Sequence, residues 1–138
     1  MLRRVLGAFG FHAPLGRRGE RIAARYLKRR GYRVLARNVR APMGEIDLIC
    51  EAPRGREIVV VEVKTRLEGD HERPRPAASI TRHKRAKLVA LAKWARRANG
   101  WEDRPLRIDA VAVVIDRRGR ARVTHIENAV DAVGNTAR

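Results

Sequence analysis

Two charged residues, Glu62 and Lys64, interrupt the most apolar stretch of this 138-residue chain, which runs from 58 to 64 and otherwise consists of isoleucine and valine. Residues two apart in a β-strand point to the same face of the sheet, so these side chains stand next to each other. Burying either charge without a partner is costly. The two residues therefore form either an ion pair in an ordinary core or a metal site with a lysine beside it.

A third charged residue, Asp47, favours the metal site. It stands among apolar residues in the segment 44–49, just before the stretch that carries Glu62. Consecutive strands usually lie side by side, so the two carboxylates should converge. They would repel each other unless a proton or a hard cation lay between them, and Mg²⁺ or Mn²⁺ accepts carboxylate, carbonyl and water oxygens. The sequence therefore predicts a Mg²⁺ or Mn²⁺ site.

Two further charged residues are predicted on the inner faces of helices. Glu20 shares the apolar face of the segment 16–31 with Leu27, where it could join the site, cap a backbone group or bind an arginine. Lys84 lies in helical phase with Leu88, where its aliphatic stem can pack while its ammonium group reaches water.

The surrounding sequence predicts the element order α-β-β-β-α-β-β. Apolar residues at helical spacing predict one helix between Gly16 and Gly31 and a second from Ser79, as the N-cap, to about Asn99. Alternating and β-branched segments predict strands at 32–40, 45–50, 58–64, 106–116 and 121–127. The third strand is almost wholly β-branched, so it should lie in the middle of the sheet with both faces covered.

The length of the chain predicts one α/β domain, at 16–128, between an N-terminal arm at 1–15 and a C-terminal tail at 129–138. The only cysteine, Cys50, excludes a disulfide framework and a cysteine zinc site and fits a reducing cytoplasm. The four histidines have no metal-ligand spacing. No stretch has the 18 or more consecutive apolar residues of a membrane span, so we expect no membrane association of that kind.

The charge of the chain predicts a polyanionic partner. Its 32 lysines and arginines against 15 acidic residues leave a formal charge of +17, more than solubility requires. Charge alone does not separate DNA, RNA, the ribosome and an acidic membrane. An arginine-rich compositional bias is the alternative explanation, because the basic residues are spread through the chain.

Two motifs resemble the signature of the YraN-like bacterial family, which belongs to the PD-(D/E)XK, or restriction-endonuclease-like, superfamily. The motifs are Gly44-Glu45-Ile46-Asp47-Leu48-Ile49 and Val61-Glu62-Val63-Lys64-Thr65-Arg66. The similarity extends from Gly19-Glu20 through Asn38, the helix of Lys84 and the segment 107–111 to the closing segment 125–129. Ile46 stands where many members of the superfamily have a proline.

This resemblance implies a restriction-endonuclease-like fold, with a central mixed five-stranded sheet flanked by helices. It implies that Asp47, Glu62 and the Val63 carbonyl hold Mg²⁺ or Mn²⁺, that Lys64 lies next to the attacking water, and that Glu20 is the helix acid of resolvase-like members. The low dielectric around the strand is expected to lower the pKa of Lys64. The implied activity is hydrolysis of phosphodiester bonds in DNA, on branched or damaged intermediates, and a homodimer is compatible with it.

The predicted phosphate contacts are basic residues near the central strand and on the second helix. They are Arg66, Arg82, Lys84, Arg85 and Lys93. Aromatic residues are sparse, so recognition through the nucleic-acid backbone is favoured over base stacking. Two other functions stay open on the residues alone: a nucleic-acid-binding module that no longer cuts, and a basic interaction protein in which Glu62 and Lys64 merely pair in the core.

Overall fold

The structure is a computed structural model that describes residues 14–70 and 81–130. Its elements are α1 Pro14–Arg29, β1 Arg33–Ala41, β2 Gly44–Glu51, β3 Ile58–Leu67, α2 Arg82–Ala98, β4 Leu106–Ile115 and β5 Ala121–Val130. This confirms the predicted order α-β-β-β-α-β-β. Most of the predicted arm, residues 71–80 and the predicted tail from 131 onward lie outside the described residues.

The five strands form one mixed sheet in the order β1-β2-β3-β4-β5. β1 pairs antiparallel with β2, β2 with β3 and β4 with β5, whereas β3 and β4 are parallel and are connected through α2. β3 is the central strand, as its apolar sequence predicted. In the described part of the chain, no helix combines the length and apolar character needed to cross a membrane.

Alternate residues of β3 pack on opposite faces of the sheet. Ile58 and Val60 belong to the core cluster that contains Leu91 of α2, whereas Val59 and Val61 belong to the cluster that contains residues of α1. The molecule therefore has a helix, a sheet and a helix in three layers. The even-numbered face of β3, which also carries Glu62 and Lys64, is the one that α2 covers.

Glycines end both helices. After α1, Gly31 adopts a φ of 87° and donates its N–H to Lys28 O at 3.1 Å, while Tyr32 N donates to Leu27 O at 3.0 Å. This Schellman pattern satisfies the last carbonyl groups of the helix. The end predicted at Gly31 is thus confirmed, and α1 begins at Pro14, slightly before the predicted Gly16.

The predicted start of α2 is wrong. The N-cap is Thr81, whose hydroxyl accepts a hydrogen bond from Lys84 N at 3.2 Å, and the helix begins at Arg82. Ser79 lies outside the described residues. Both residues are good N-caps, and the sequence pattern does not separate them. At the other end of the chain, β5 continues past the predicted 127 to Val130, whose side chain is buried.

A single glycine lets α1 approach the central strand. A Cβ atom placed on Gly19 would lie 1.7 Å from Thr65 Oγ1, which is far inside any allowed contact distance. Only glycine permits this separation of helix and strand. The next residue in α1 is Glu20, so the close approach also brings a carboxylate towards the sheet.

Candidate active site

The candidate site lies where β2 and β3 stop pairing. Their ladder runs from Glu51 opposite Ile58 to Leu48 opposite Val61 and ends there. Asp47 and Glu62 are the next residues on the two strands. In place of a backbone bond, the N–H of Val63 donates to Asp47 Oδ2 at 2.8 Å. The end of the ladder thus leaves room between the strands and fixes the carboxylate of Asp47 in it.

Asp47 and Glu62 are brought together, as their positions on consecutive strands predicted. Their carboxyl groups lie close enough to interact directly. Burial and the negative charge of Glu62 raise the pKa of Asp47 to about 8, against the opposing effect of the Val63 N–H. Two buried carboxylates that lie this close repel each other, so the pair favours a proton or a cation between them.

Glu20 adds a third carboxylate to this environment. Its side chain is buried, with 7% of its surface exposed, on the face of α1 that packs on the sheet. Its negative charge also raises the pKa of Asp47, although less than burial and Glu62 do. The structure therefore places the helix acid within electrostatic reach of the strand acids.

Lys64 and Glu62 form an ion pair, with 3.3 Å between Lys64 Nζ and Glu62 Oε1. The expectation that the pKa of Lys64 is lowered is wrong. Burial does lower it, but a hydrogen bond with Lys84 and the negative charges of Glu62 and Asp47 outweigh burial and raise the pKa above its ordinary value. Lys64 is therefore a firmly protonated ammonium group beside the two acids.

Lys84 reaches the same place from the first turn of α2. Its hydrogen bond with Lys64, and the positive charge of Lys64, lower the pKa of Lys84, and burial acts in the same direction. The sequence placed Lys84 among the phosphate contacts without predicting this interaction. The available signal was its helical phase, because Lys84 shares the inner face of α2 with Leu88 and Leu91.

The other predicted phosphate contacts are more dispersed. Arg66 continues the face of β3 that carries Glu62 and Lys64, and its buried Nε has no hydrogen-bond partner among the described residues. Arg82 and Lys93 are exposed on α2, and Arg85 is half-buried. These residues contribute positive charge on the α2 side of the sheet.

The donor set fits a hard cation with few protein ligands. Within 14–70 and 81–130, no group of three or more His, Cys, Asp or Glu side chains is arranged to hold a metal ion. Two carboxylates suffice for Mg²⁺, which commonly takes its other ligands from water and substrate phosphate. Val63 presents its N–H to Asp47, and the Val63 carbonyl as a ligand stays a prediction.

Asn38 is a neighbour of the site that the sequence analysis did not single out as a site residue. It lies on β1 between the pairs Arg37–Leu48 and Val39–Ile46, which is the position opposite Asp47. Its φ is 50°, and its buried Oδ1 has no hydrogen-bond partner in the described part of the chain. Asparagine tolerates this left-handed conformation better than most residues, which is the one signal available in the sequence.

The second buried aspartate, Asp109 on β4, belongs to a different network. It accepts hydrogen bonds from Arg107 Nε and from Asn128 N, both at 2.8 Å, and its Oδ2 lies 2.7 Å from His125 Nε2. Asp109 is therefore a structural partner of Arg107.

Comparison with known proteins points to one family. The model of the uncharacterised protein family UPF0102 matches residues 19–113. A UPF0102 protein of Pelobacter propionicus is 38% identical over 116 residues, which cover 84% of this chain and 81% of that protein. A UPF0102 protein of Roseiflexus castenholzii is 44% identical over 125 residues, covering 88% and 97%. Among solved structures, SfsA of Pyrococcus furiosus in complex with Ca²⁺ overlaps with a TM-score of 0.43 at 15% identity, covering 92% of this chain and 70% of that one.

Proposed function

Since the chain belongs to the uncharacterised protein family UPF0102, the YraN family that its motifs resemble, we propose from its site that it is a metal-dependent nuclease of the PD-(D/E)XK type. The reaction is hydrolysis of phosphodiester bonds in DNA. The observation that carries the proposal is the placement of Asp47 and Glu62 side by side at the end of the β2–β3 ladder, with Lys64 Nζ 3.3 Å from Glu62 Oε1.

Two adjacent acids at the end of the β2–β3 ladder would not stabilise an ordinary apolar core. Asp47 and Glu62 supply oxygen ligands of the kind that Mg²⁺ and Mn²⁺ prefer, and we assign the Val63 carbonyl as a third. A bound Mg²⁺ or Mn²⁺ lowers the pKa of a coordinated water and neutralises charge on the scissile phosphate. Glu20 adds negative charge within reach of Asp47, which strengthens the attraction for a divalent cation.

The protonated Lys64 has an electrostatic role. Its raised pKa makes it a poor general base, because it keeps its proton at neutral pH. As an ammonium group it orients water beside Glu62 and stabilises the negative charge that develops on the phosphate. Lys84 lies against Lys64, whose positive charge disfavours a second ammonium group there, so Lys84 is the more weakly protonated of the two lysines beside the phosphate.

The charge of +17 supports a nucleic-acid partner for this site. We propose DNA as that partner, in branched or damaged form, and the cytoplasm as the location. A homodimer would offer two such sites to a symmetric junction. Arg66, Arg82, Arg85 and Lys93 are the proposed backbone contacts around the site.

The test is cleavage of labelled linear, single-stranded, flap and four-way-junction DNA in Mg²⁺ or Mn²⁺. We expect the wild type to cut at least one substrate and both Asp47→Asn and Glu62→Gln to lose about 100-fold or more in rate, since even groups that only support metal ligands contribute about 10- to 100-fold. Glu102→Gln, an exposed acid outside the site, is the matched control and should cut like the wild type. No cutting of any substrate, or undiminished cutting by both site variants, would contradict the proposal.

A second function is favoured by one observation. The described residues contain no group of three acidic, histidine or cysteine side chains arranged for a metal, which suits a nucleic-acid-binding module of nuclease ancestry that does not cut. In that case DNA binding would persist in EDTA, no divalent cation would induce cutting, and calorimetry would detect no binding of Mg²⁺ or Mn²⁺.

A further inference from the structure

A groove with a volume of about 630 Å³ runs between α1 and the edge of the sheet at β5. One wall is α1, and the other is formed by the start of β5 and the turn that precedes it. Four arginines of α1 line it, and all four are exposed: Arg18, Arg21, Arg25 and Arg29. We call this surface the arginine groove. None of its lining residues belongs to the site of Asp47 and Glu62.

The four arginines form a stripe along one flank of the helix. Their spacings of three, four and four residues keep them on neighbouring turns. At a rise of 1.5 Å per residue, the stripe from Arg18 to Arg29 spans about 16 Å. One strand of B-DNA presents a phosphate about every 3.4 Å along its axis, so the stripe faces about five phosphates of one strand.

The positive charge of the groove is not compensated within the described chain. No acidic residue lines it. Arg21, Arg25 and Arg29 have no ion pair among the described residues. Arg18 has a structural role, because its guanidinium group donates a hydrogen bond to Gly119 O at 2.5 Å and so holds the β4–β5 turn against α1. Three guanidinium groups thus stay available, in a shape that matches phosphate oxygens.

The floor of the groove favours a duplex over a single strand. Its one aromatic residue, Tyr26, has Arg30 Cζ 4.3 Å from its ring centroid, and its ring meets that of His125 edge to face. The guanidinium group of Arg30 covers one face of this ring, on which a base would stack. Proteins that hold single strands use free aromatic faces for that purpose. The groove offers charge without such a face.

We propose that the arginine groove binds the sugar-phosphate backbone of double-stranded nucleic acid. The inference deepens the proposed nuclease function and rests on it only in taking nucleic acid as the polyanion. α1 then serves two surfaces: its inner face carries Glu20 to the acids, and its outer flank holds backbone away from the cleaved bond. The helix would fix the distance between the two.

The test compares two triple variants in EDTA, where binding is separated from cutting. Arg21, Arg25 and Arg29 are replaced by Gln in the groove variant, and the exposed Arg33, Arg37 and Arg54 are replaced by Gln in the control. Each variant loses three positive charges. Binding of a labelled duplex is followed by fluorescence anisotropy as a function of salt, with circular dichroism to verify folding.

We expect the groove variant to bind duplex DNA about tenfold or more weakly at 0.15 M salt, and its slope of log K against log salt to fall by about 2.7, or 0.9 for each lost contact. The control slope should change by less than about 1. Duplex RNA is measured in parallel, and a groove-dependent slope on either duplex supports the inference.

Several results would overturn it. They are equal slope changes in the two variants, no duplex binding by the wild type, tighter groove-dependent binding of single strands, or a groove-dependent loss only on phosphatidylserine vesicles. The nuclease function is tested separately, by cutting in Mg²⁺. If the protein cuts DNA in Mg²⁺ and the two variants have equal salt slopes in EDTA, the binding role of the arginine groove is rejected and the nuclease function stands. If the groove variant alone loses binding and no substrate is cut, the nuclease function is rejected and the binding role stands.

Discussion

Asp47 and Asp109 are hard to distinguish in the sequence, yet their surroundings in the structure are opposite in kind. Each stands within a strand among apolar neighbours, on β2 and β4 respectively. Asp109 accepts hydrogen bonds from Arg107, from Asn128 N and, at its second oxygen, from the ring of His125. Asp47 accepts one backbone N–H, from Val63, and lies near the carboxyl groups of Glu62 and Glu20 and the ammonium group of Lys64.

The pKa of each aspartate follows from those neighbours. Burial alone would raise the pKa of Asp109, but the bonds from His125, Arg107 and Asn128 hold it below the ordinary value. Burial and Glu62 raise the pKa of Asp47 to about 8. A buried acid that has all its donors serves the fold, and one placed among other acids indicates a site for a cation.

Asp109 has an identifiable structural task. The β4–β5 register shifts between Ile108 and Ala110, and Asn128 on the facing strand has a φ of 50°. The bond from Asn128 N at 2.8 Å therefore ties the irregular part of β5 to β4. The same carboxylate neutralises Arg107, whose side chain is 15% exposed.

The largest expected effect is that of removing the charge of Asp109. Asp109→Asn leaves Arg107 with Glu57, at 2.9 Å, as its remaining counter-charge, and breaking the buried pair should cost about 3 kcal/mol of unfolding free energy. Urea denaturation at pH 8 in EDTA measures it. Asp47→Asn is the matched variant and should raise the unfolding free energy by about 1 kcal/mol or more, the value of one pKa unit. Similar losses in the two variants would contradict the distinction between them.

The next effect is the response to metal. Mg²⁺ that binds only the folded protein at 100 times its dissociation constant stabilises it by about 2.7 kcal/mol. We expect a rise of that size for the wild type and for Asp109→Asn, if the latter folds, and none for Asp47→Asn or Glu62→Gln. Thermal unfolding with and without Mg²⁺ measures the difference. A response that survives in both site variants would place the metal elsewhere.

A smaller effect is expected from substituting Gly19, which positions α1 near Asp47 but has no part in the network of Asp109. Gly19→Ala puts a Cβ atom 1.7 Å from Thr65 Oγ1, so α1 must shift, at a cost of about 1–3 kcal/mol. The shift also moves Glu20 away from Asp47 and should weaken Mg²⁺ binding, which calorimetry measures. Gly16→Ala meets nothing within 4 Å and should be neutral or stabilising, as alanine favours helix. Equal metal affinity in both variants would exclude Glu20 from the site.

Much of the fold and the core of the site follows from local patterns. The spacing of Glu62 and Lys64 fixes their common face, and the short connection between β2 and β3 predicts that Asp47 approaches them. The Arg107–Asp109 contact was predictable for the same reason, because the two residues are two apart on one strand. These inferences depend only on strand periodicity and on the adjacency of consecutive elements.

What could not be predicted depends on contacts between distant segments. The point at which the β2–β3 ladder ends is set by how the strands twist in the folded sheet, and His125 reaches Asp109 only because β5 pairs with β4. The raised pKa of Lys64 depends on acids from another strand and on Lys84 from α2. The sequence indicates which residues are polar in the core, and the packing determines whether each has a partner.

The pH dependence of the unfolding free energy also separates the two aspartates. The expected change per pH unit is the smallest of the effects considered. The folded protein holds the proton of Asp47 up to about pH 8, whereas the unfolded chain releases it near 3.8. The contribution of Asp47 is therefore fully present below pH 3.8 and is lost as pH rises towards 8, by at most about 1.4 kcal/mol per pH unit for one proton. Asp109, whose pKa is lowered, contributes in the opposite sense: its stabilisation is present above the unfolded value and is lost as pH falls. In EDTA, the unfolding free energy of Asp47→Asn minus that of the wild type should grow from pH 4 to 8, and saturating Mg²⁺ should reverse the trend. A flat difference would mean that the Asp47 proton is not held by the fold, and that the pair with Glu62 is open to solvent.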